Sequence, residues 1–236
     1  MAVRAITFDF WCTLFRDTNG AARQQIRVDA FASATAQPPE RVREAIETAQ
    51  SRLLRHHVDH HRTLGPADAV RMTAQALDVS LSTQVATALT CVFGSAILRH
   101  PPEPIEGALN AVRAAAAHRP VGLVSDSGMS PGSSLRQLLE RQGFIEHVSA
   151  MAFSDEVGVA KPQAAMFETA ARGLGVNPSE LLHIGDLEPT DIEGARAIGA
   201  KAALFGGENP KYVGATQADH TFVTWPDFVG ALPEIL

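Results

Sequence analysis

The sequence predicts an α/β protein: a parallel sheet core with helices on both faces and an all-helical segment inserted near its start. Three features of the 236 residues predict it. Short apolar runs rich in β-branched residues recur and end in polar loops. From Ile105 onward those runs alternate with segments of helical period. Between about Ala21 and Leu98 the period is helical throughout, with no strand among it.

The first element is Ala5-Ile6-Thr7-Phe8, which runs into Asp9-Phe10-Trp11-Cys12-Thr13-Leu14. A buried strand that ends in a carboxylate places Asp9 on the edge where open α/β sheets bind ligands; the plainer alternative is a carboxylate that caps a turn. Helices follow, with Val42, Ala45, Ile46, Ala49 and Leu53 on one face and Val85, Ala88, Leu89 and Val92 on another. Gln37-Pro38-Pro39-Glu40 and Gly65-Pro66-Ala67-Asp68 punctuate them, with proline where a first helical turn tolerates it. Pro101-Pro102-Glu103-Pro104 reads as a stiff linker out of this segment. The expected division is therefore a core of residues 1–14 and 101–236 and a helical insertion of 15–100, hinged near Phe15 to Gly20 and His100 to Pro104.

Beyond the linker, Ile105, Leu109, Val112 and Ala116 mark a helix face, and Val121 to Val124 form a strand that ends at Ser125-Asp126-Ser127-Gly128. Val148 to Phe153 is the next strand, followed by a helix from Gln163 to Leu174, begun at Pro162 and closed by Gly173 or Gly175. Asn177-Pro178-Ser179-Glu180 has capping-box spacing. Leu181 to Ile184 is a strand that ends at Gly185-Asp186. A helix then turns Ile192, Ala195 and Ile198 inward, closes at Gly199, and gives way to a strand from Ala202 to Phe205. This alternation is Rossmann-like.

Composition narrows the partners. A formal net charge of -6 without any Lys/Arg run excludes an electrostatic footprint for nucleic acid or an anionic membrane surface. No stretch approaches the ~20 apolar residues of a membrane span and no signal-like segment is evident, so the expectation is a cytoplasmic chain whose partner is a small molecule. Cys12 and Cys91 lie far apart and fit reduced thiols. A thiol-nucleophile reading of Cys12 fails, because a cysteine phosphatase loop closes with an arginine where this chain has Thr18.

Three strands end in loops of one kind, at Asp9, Ser125 and Asp186, and strand ends on one edge of a parallel sheet converge. Gly185-Asp186-Leu187-Glu188-Pro189-Thr190-Asp191 offers two carboxylates around a turn, hard oxygen ligands suited to Mg²⁺. Gly158-Val159-Ala160-Lys161-Pro162 adds a lysine in a chain whose only others are Lys201 and Lys211. Carboxylates, a hydroxyl and a lysine together make an inventory for phosphoryl transfer.

In order and spacing these four motifs resemble the haloacid dehalogenase superfamily, in particular members with a small α-helical cap between the first motif and the second. The resemblance spans nearly the whole chain. It implies that Asp9 is a nucleophile forming an aspartyl-phosphate, that Ser125 and nearby backbone N–H groups hold the phosphate beside Thr13 and Asp126, and that Lys161 balances charge. It further implies Mg²⁺ held by Asp9, Asp186 and the Trp11 carbonyl, and a small phosphorylated metabolite as substrate. Asp191 either supports the metal through water or caps the next helix.

Position 11 departs from the pattern. Phosphatases of this superfamily carry there a second aspartate that protonates the leaving oxygen; here it is Trp11, whose indole N–H is no usable acid. Cys12 stands where glycine is common. Dehalogenases, with tyrosine at position 11, lack the Gly185-Asp186 type of last motif, and phosphonoacetaldehyde hydrolases need a cap lysine that residues 15–100 do not contain. The expected function is Mg²⁺-dependent phosphatase chemistry, the alternative a non-catalytic binding or regulatory protein. His56, His57, His60 and His61 offer an acid or a metal site in the cap, or simply a solvated polar face.

Overall fold

The structure is a computed structural model and describes residues 2–236. The chain begins with β1 (Ala5–Phe8) and β2 (Phe15–Arg16). It continues through four helices, α1 (Gly20–Thr35), α2 (Pro39–His60), α3 (Pro66–Leu77) and α4 (Thr83–Arg99). Next come β3 (Glu103–Pro104), α5 (Ala108–His118), β4 (Val121–Ser125), α6 (Gly132–Arg141), β5 (Ala150–Phe153) and α7 (Ser154–Val157). The rest is α8 (Ala164–Leu174), β6 (Leu181–Gly185), α9 (Glu193–Ala197), β7 (Lys201–Phe205), β8 (His220–Phe222) and α10 (Trp225–Ile235).

Six strands form one parallel sheet in the order β5, β4, β1, β6, β7, β8. β1 is central because every residue of Ala5–Phe8 is buried, as a strand covered on both faces requires. Its side chains alternate: Ile6 and Phe8 join the core beneath α5, α6 and α10, whereas Ala5 joins the core beneath α8 and α9. On the first face Phe8 meets Trp225 and Phe228 edge-on at 5.7 and 5.8 Å, and Phe205 stacks on Trp225 at 4.3 Å. The order also fixes the site. The chain leaves β1 for β4 on one side and later fills β6 on the other, which makes the carboxyl end of β1 a topological switch point.

The four helices α1 to α4 bury a core of their own, with Val28, Phe31, Val42, Ile46, Leu89 and Phe93 at its centre. Pro39 and Pro66 sit in first turns as their missing N–H allows. One reading of the sequence needs correction: Pro101 to Pro104 is not simply a stiff linker. Glu103–Pro104 is a strand, antiparallel to Phe15–Arg16, so the ways into and out of the helices form a two-stranded ribbon. Arg16 anchors it with Nε and Nη2 donating to Glu208 at 2.8 and 2.6 Å.

Smaller differences have local causes. The strand expected from Val148 starts at Ala150, because Ile145–His147 is a 3-10 turn. Of the two glycines expected to close α8, Gly175 does so, in the left-handed region at φ 69°. α6, β8 and α10 have no counterpart in the sequence-based expectation.

Candidate active site

Asp9, Ser125 and Asp186 stand at the ends of the adjacent strands β1, β4 and β6, all buried. Lys161, on the loop before α8, reaches between two of the carboxylates: its Nζ donates to Asp9 Oδ1 at 2.7 Å and to Asp191 Oδ1 at 2.6 Å. Asp191 lies in a π-turn, Glu188–Ile192, and is fully buried. Its Oδ1 also contacts His183 Nε2 at 3.0 Å, and its Oδ2 accepts from the Leu187 N–H at 3.0 Å. A Cβ at Gly185 would meet Asp191 Cγ at 2.2 Å, so glycine there is what lets the carboxylate approach. His183, within β6, is a core histidine with both ring nitrogens occupied, the second by Thr7 Oγ1 at 3.0 Å.

The electrostatics is unbalanced. Three buried carboxylates, Asp9, Asp186 and Asp191, each offer an oxygen within 4.8 Å of the others, against one ammonium. Burial raises the pKa of Asp9 above its ordinary value despite Lys161, and Asp191 adds to the rise. Burial also acts against Asp191, but Lys161 and His183 outweigh it and hold its carboxyl well below the usual range. For Lys161 burial opposes the charge, yet Asp191 and Asp9 keep the ammonium pKa above its ordinary value. Asp186, which accepts from Asn209 Nδ2 at 2.8 Å, has no paired cation among the described residues; burial and the charges of Asp9 and Asp191 push it up to about 7. An all-oxygen donor set with surplus negative charge fits a small hard cation such as Mg²⁺.

The loop after β1 explains Cys12. Its φ is 54°, a left-handed conformation in which glycine is the natural occupant. Burial, then the Asp186 and Asp9 carboxylates, push its thiol up to about 11, which leaves it protonated and poorly nucleophilic. Thr13 is buried and its hydroxyl has no partner among the described residues. Ser125 Oγ makes one long contact, 3.4 Å to the Asp126 carbonyl, and Asp126 Oδ1 accepts from the Lys161 N–H at 3.0 Å.

Trp11 is half-buried and packs edge-on against Phe10 at 4.9 Å. It lines a cleft of about 460 Å³ between the sheet edge and the helices, together with Arg23, Arg27, Leu53, His57, Asp126 and Met129. Contacts across the junction include His57 Nε2 to Asp126 Oδ2 at 3.3 Å and Thr63 Oγ1 to Ser154 Oγ at 2.5 Å. The histidine cluster therefore divides. His57 faces the cleft, whereas His56 contacts the Arg62 carbonyl at 3.2 Å and lies against the exposed His60 at 4.7 Å. His61 contributes its carbonyl, which accepts from the Ala160 N–H at 2.8 Å. Asn209, Arg23 and Arg27 were not singled out by sequence reasoning. Asn209 follows a strand end, Phe205, at the same edge, a signal that was available.

Such a protein is an α/β chain with a carboxylate–lysine site at the switch point of a parallel sheet. The chain belongs to the haloacid dehalogenase-like hydrolase family, whose model matches residues 3–199. It is 34% identical over 99 residues to the glyceraldehyde 3-phosphate phosphatase of Pyrococcus furiosus, a match covering 42% of this chain and 38% of that protein. The stretch shared with this relative is thus well under half of the relative's length. In fold it is similar to 2-haloacid dehalogenase from Pseudomonas syringae pv. Tomato DC3000, with a TM-score of 0.73, 20% identity, and 99% and 97% of the two chains covered. It is also similar to the magnesium-bound HAD-hydrolase YfnB from Bacillus subtilis, with a TM-score of 0.67, 15% identity, and 98% and 99% covered. No helix among the described residues is long and apolar enough to cross a membrane.

Proposed function

We propose that the chain is a Mg²⁺-dependent phosphatase of a small phosphorylated metabolite, with Asp9 as nucleophile and residues 15–100 as a cap over the site. The observation that carries this reading is Asp9 held by Lys161 at 2.7 Å beside two further buried carboxylates. Phosphatase naming of the Pyrococcus furiosus relative, and a last motif of Gly185-Asp186, favour it over dehalogenation.

Asp9 attacks phosphorus, the bond to the leaving oxygen breaks, and an aspartyl-phosphate forms that water then hydrolyses. Lys161 offsets the repulsion between the Asp9 carboxylate and the phosphate, and Asp191 positions that ammonium through its 2.6 Å contact. Ser125 and the Thr13 hydroxyl, which lacks a partner among the described residues, hold phosphate oxygens, and Asp126 fixes the Lys161 backbone beside them. Asp9, Asp186 and the Trp11 carbonyl would hold Mg²⁺, which when bound would supply further neutralisation of charge on the transferring group.

The test is a broad panel of phosphate esters and anhydrides, with and without Mg²⁺, on the native chain and on Asp9→Asn. Metal-dependent release of phosphate that Asp9→Asn loses is the expected result; absence of turnover on every substrate overturns it. One observation favours a second reading, a fold that binds ligand without turnover: Trp11 leaves the leaving group without its usual proton donor.

A further inference from the structure

Arg27 is the outlying charge of this molecule. It lies in α1, is 5% exposed, and donates from Nε to the Phe93 carbonyl at 3.3 Å. Among the described residues no carboxylate pairs with it and neither Nη has a hydrogen-bond partner. A buried guanidinium without a paired anion is costly, because burial penalises charge and the nearby Asp17, which favours the charged form, is itself bonded to Arg23 and returns only part of the loss. Its neighbour Arg23 sharpens the imbalance: Arg23 is committed to Asp17 and to the carbonyls of Thr18 and His100. Burial, then the charge of Arg23, push Arg27 down to about 10, which still leaves it cationic at neutral pH.

Both arginines line the 460 Å³ cleft that Trp11, Leu53 and Met129 make largely apolar. Asp126, which also lines it, lies against His57 and accepts from the Lys161 N–H, so the cleft adjoins the site of Asp9 and Lys161. A phosphoryl group at Asp9 would place its leaving group in this space. Resting on the phosphatase reading above, we propose that Arg27 is an anion subsite for the leaving group, so that the substrate is a phosphate monoester or anhydride that also carries a carboxylate. A carboxylate matches the planar fork of a guanidinium through two parallel hydrogen bonds, and the low-dielectric wall around it strengthens both. The Trp11 indole then covers the apolar part between the two anions.

A matched pair of probes tests this, 4-carboxyphenyl phosphate and 4-carbamoylphenyl phosphate, similar in shape and differing by one charge. Calorimetric affinities in the presence of Mg²⁺ should favour the carboxylate by about ten- to a hundredfold in the native chain. Arg27→Met should abolish that ratio and Arg27→Lys, which keeps the charge but loses the fork, should retain part of it. Equal affinity of the native chain for the two probes overturns the subsite, whether or not the variants fold. Turnover is read separately: a carboxylate preference in binding without phosphate release would leave the subsite standing and sink the phosphatase reading, and release from both probes without preference would do the reverse.

Discussion

The sheet edge and the four-helix unit bury charge in opposite senses. At the edge three carboxylates, Asp9, Asp186 and Asp191, surround the single ammonium of Lys161. In the helices two guanidinium groups, Arg23 and Arg27, have one carboxylate between them, Asp17. Neither surplus stabilises the fold, since unpaired buried charge is destabilising. On the readings proposed above, each marks where charge from outside would complete the structure, a cation at the edge and an anion beneath the helices. The two regions also differ in how they are held. The edge depends on one close approach, Asp191 over Gly185, while the helices rest on an ordinary apolar core around Phe31 and Phe93, whose rings are 6.3 Å apart.

The contrast can be broken at either end. Asp9→Asn should have the largest effect, a loss of phosphatase turnover of about 10⁴-fold or more with the far-UV spectrum unchanged, because on the proposed mechanism it removes the attacking carboxylate; substantial residual turnover would place the nucleophile elsewhere. Phe31→Ala comes next, costing about 3–5 kcal/mol through the cavity it leaves. Its cost should stay local: hydrogen exchange should show lost protection across α1 to α4 and retained protection in β1, β4 and β6. Equal loss in both regions would mean that they unfold as one unit.

Asp186→Ala should weaken Mg²⁺ by more than the about 10- to 100-fold typical of an outer-shell partner, with the chain still folded. Unchanged affinity in a calorimetric titration rejects the metal assignment. The smallest effect is expected from Trp11→Asp. It should raise turnover of alkyl phosphates about tenfold relative to aryl phosphates, since a proton donor matters most for a poor leaving group. An identical dependence on leaving-group pKa in both chains would show that another group, with His57 a candidate in the cleft, already supplies the proton.

The core strands and the positions of Asp9, Ser125 and Asp186 were legible because buried parallel strands are continuous apolar runs and their polar ends are abrupt; Lys161, on the loop before α8, stood out as one of three lysines in the chain. β8 was not, being three residues at the sheet's outer edge, His220–Phe222. α10 left a usable signal in Thr224, whose hydroxyl accepts from the Asp227 N–H at 3.3 Å, but Pro226 and Pro233 obscured it. The role of Asp191 was undecided in the sequence because two oxygens serving Lys161, His183 and Leu187 at once is a tertiary fact. Arg27 was invisible for the same reason: one arginine among many on helices reads as solvated surface until its neighbours are known.

The ribbon of Phe15–Arg16 against Glu103–Pro104 brings the two junctions of the helical unit side by side, in register, with Arg16 opposite Glu103. A segment that enters and leaves at one spot behaves as a cassette. The two junctions already meet across a hairpin-like gap, so the pairing of β1 with β4 and β6 does not run through the helices, although Ile97 of α4 reaches into the sheet's core. On the proposed reading, the reacting carboxylate then belongs to the sheet, whereas the wall of the cleft above it belongs largely to what is inserted between Arg16 and Glu103.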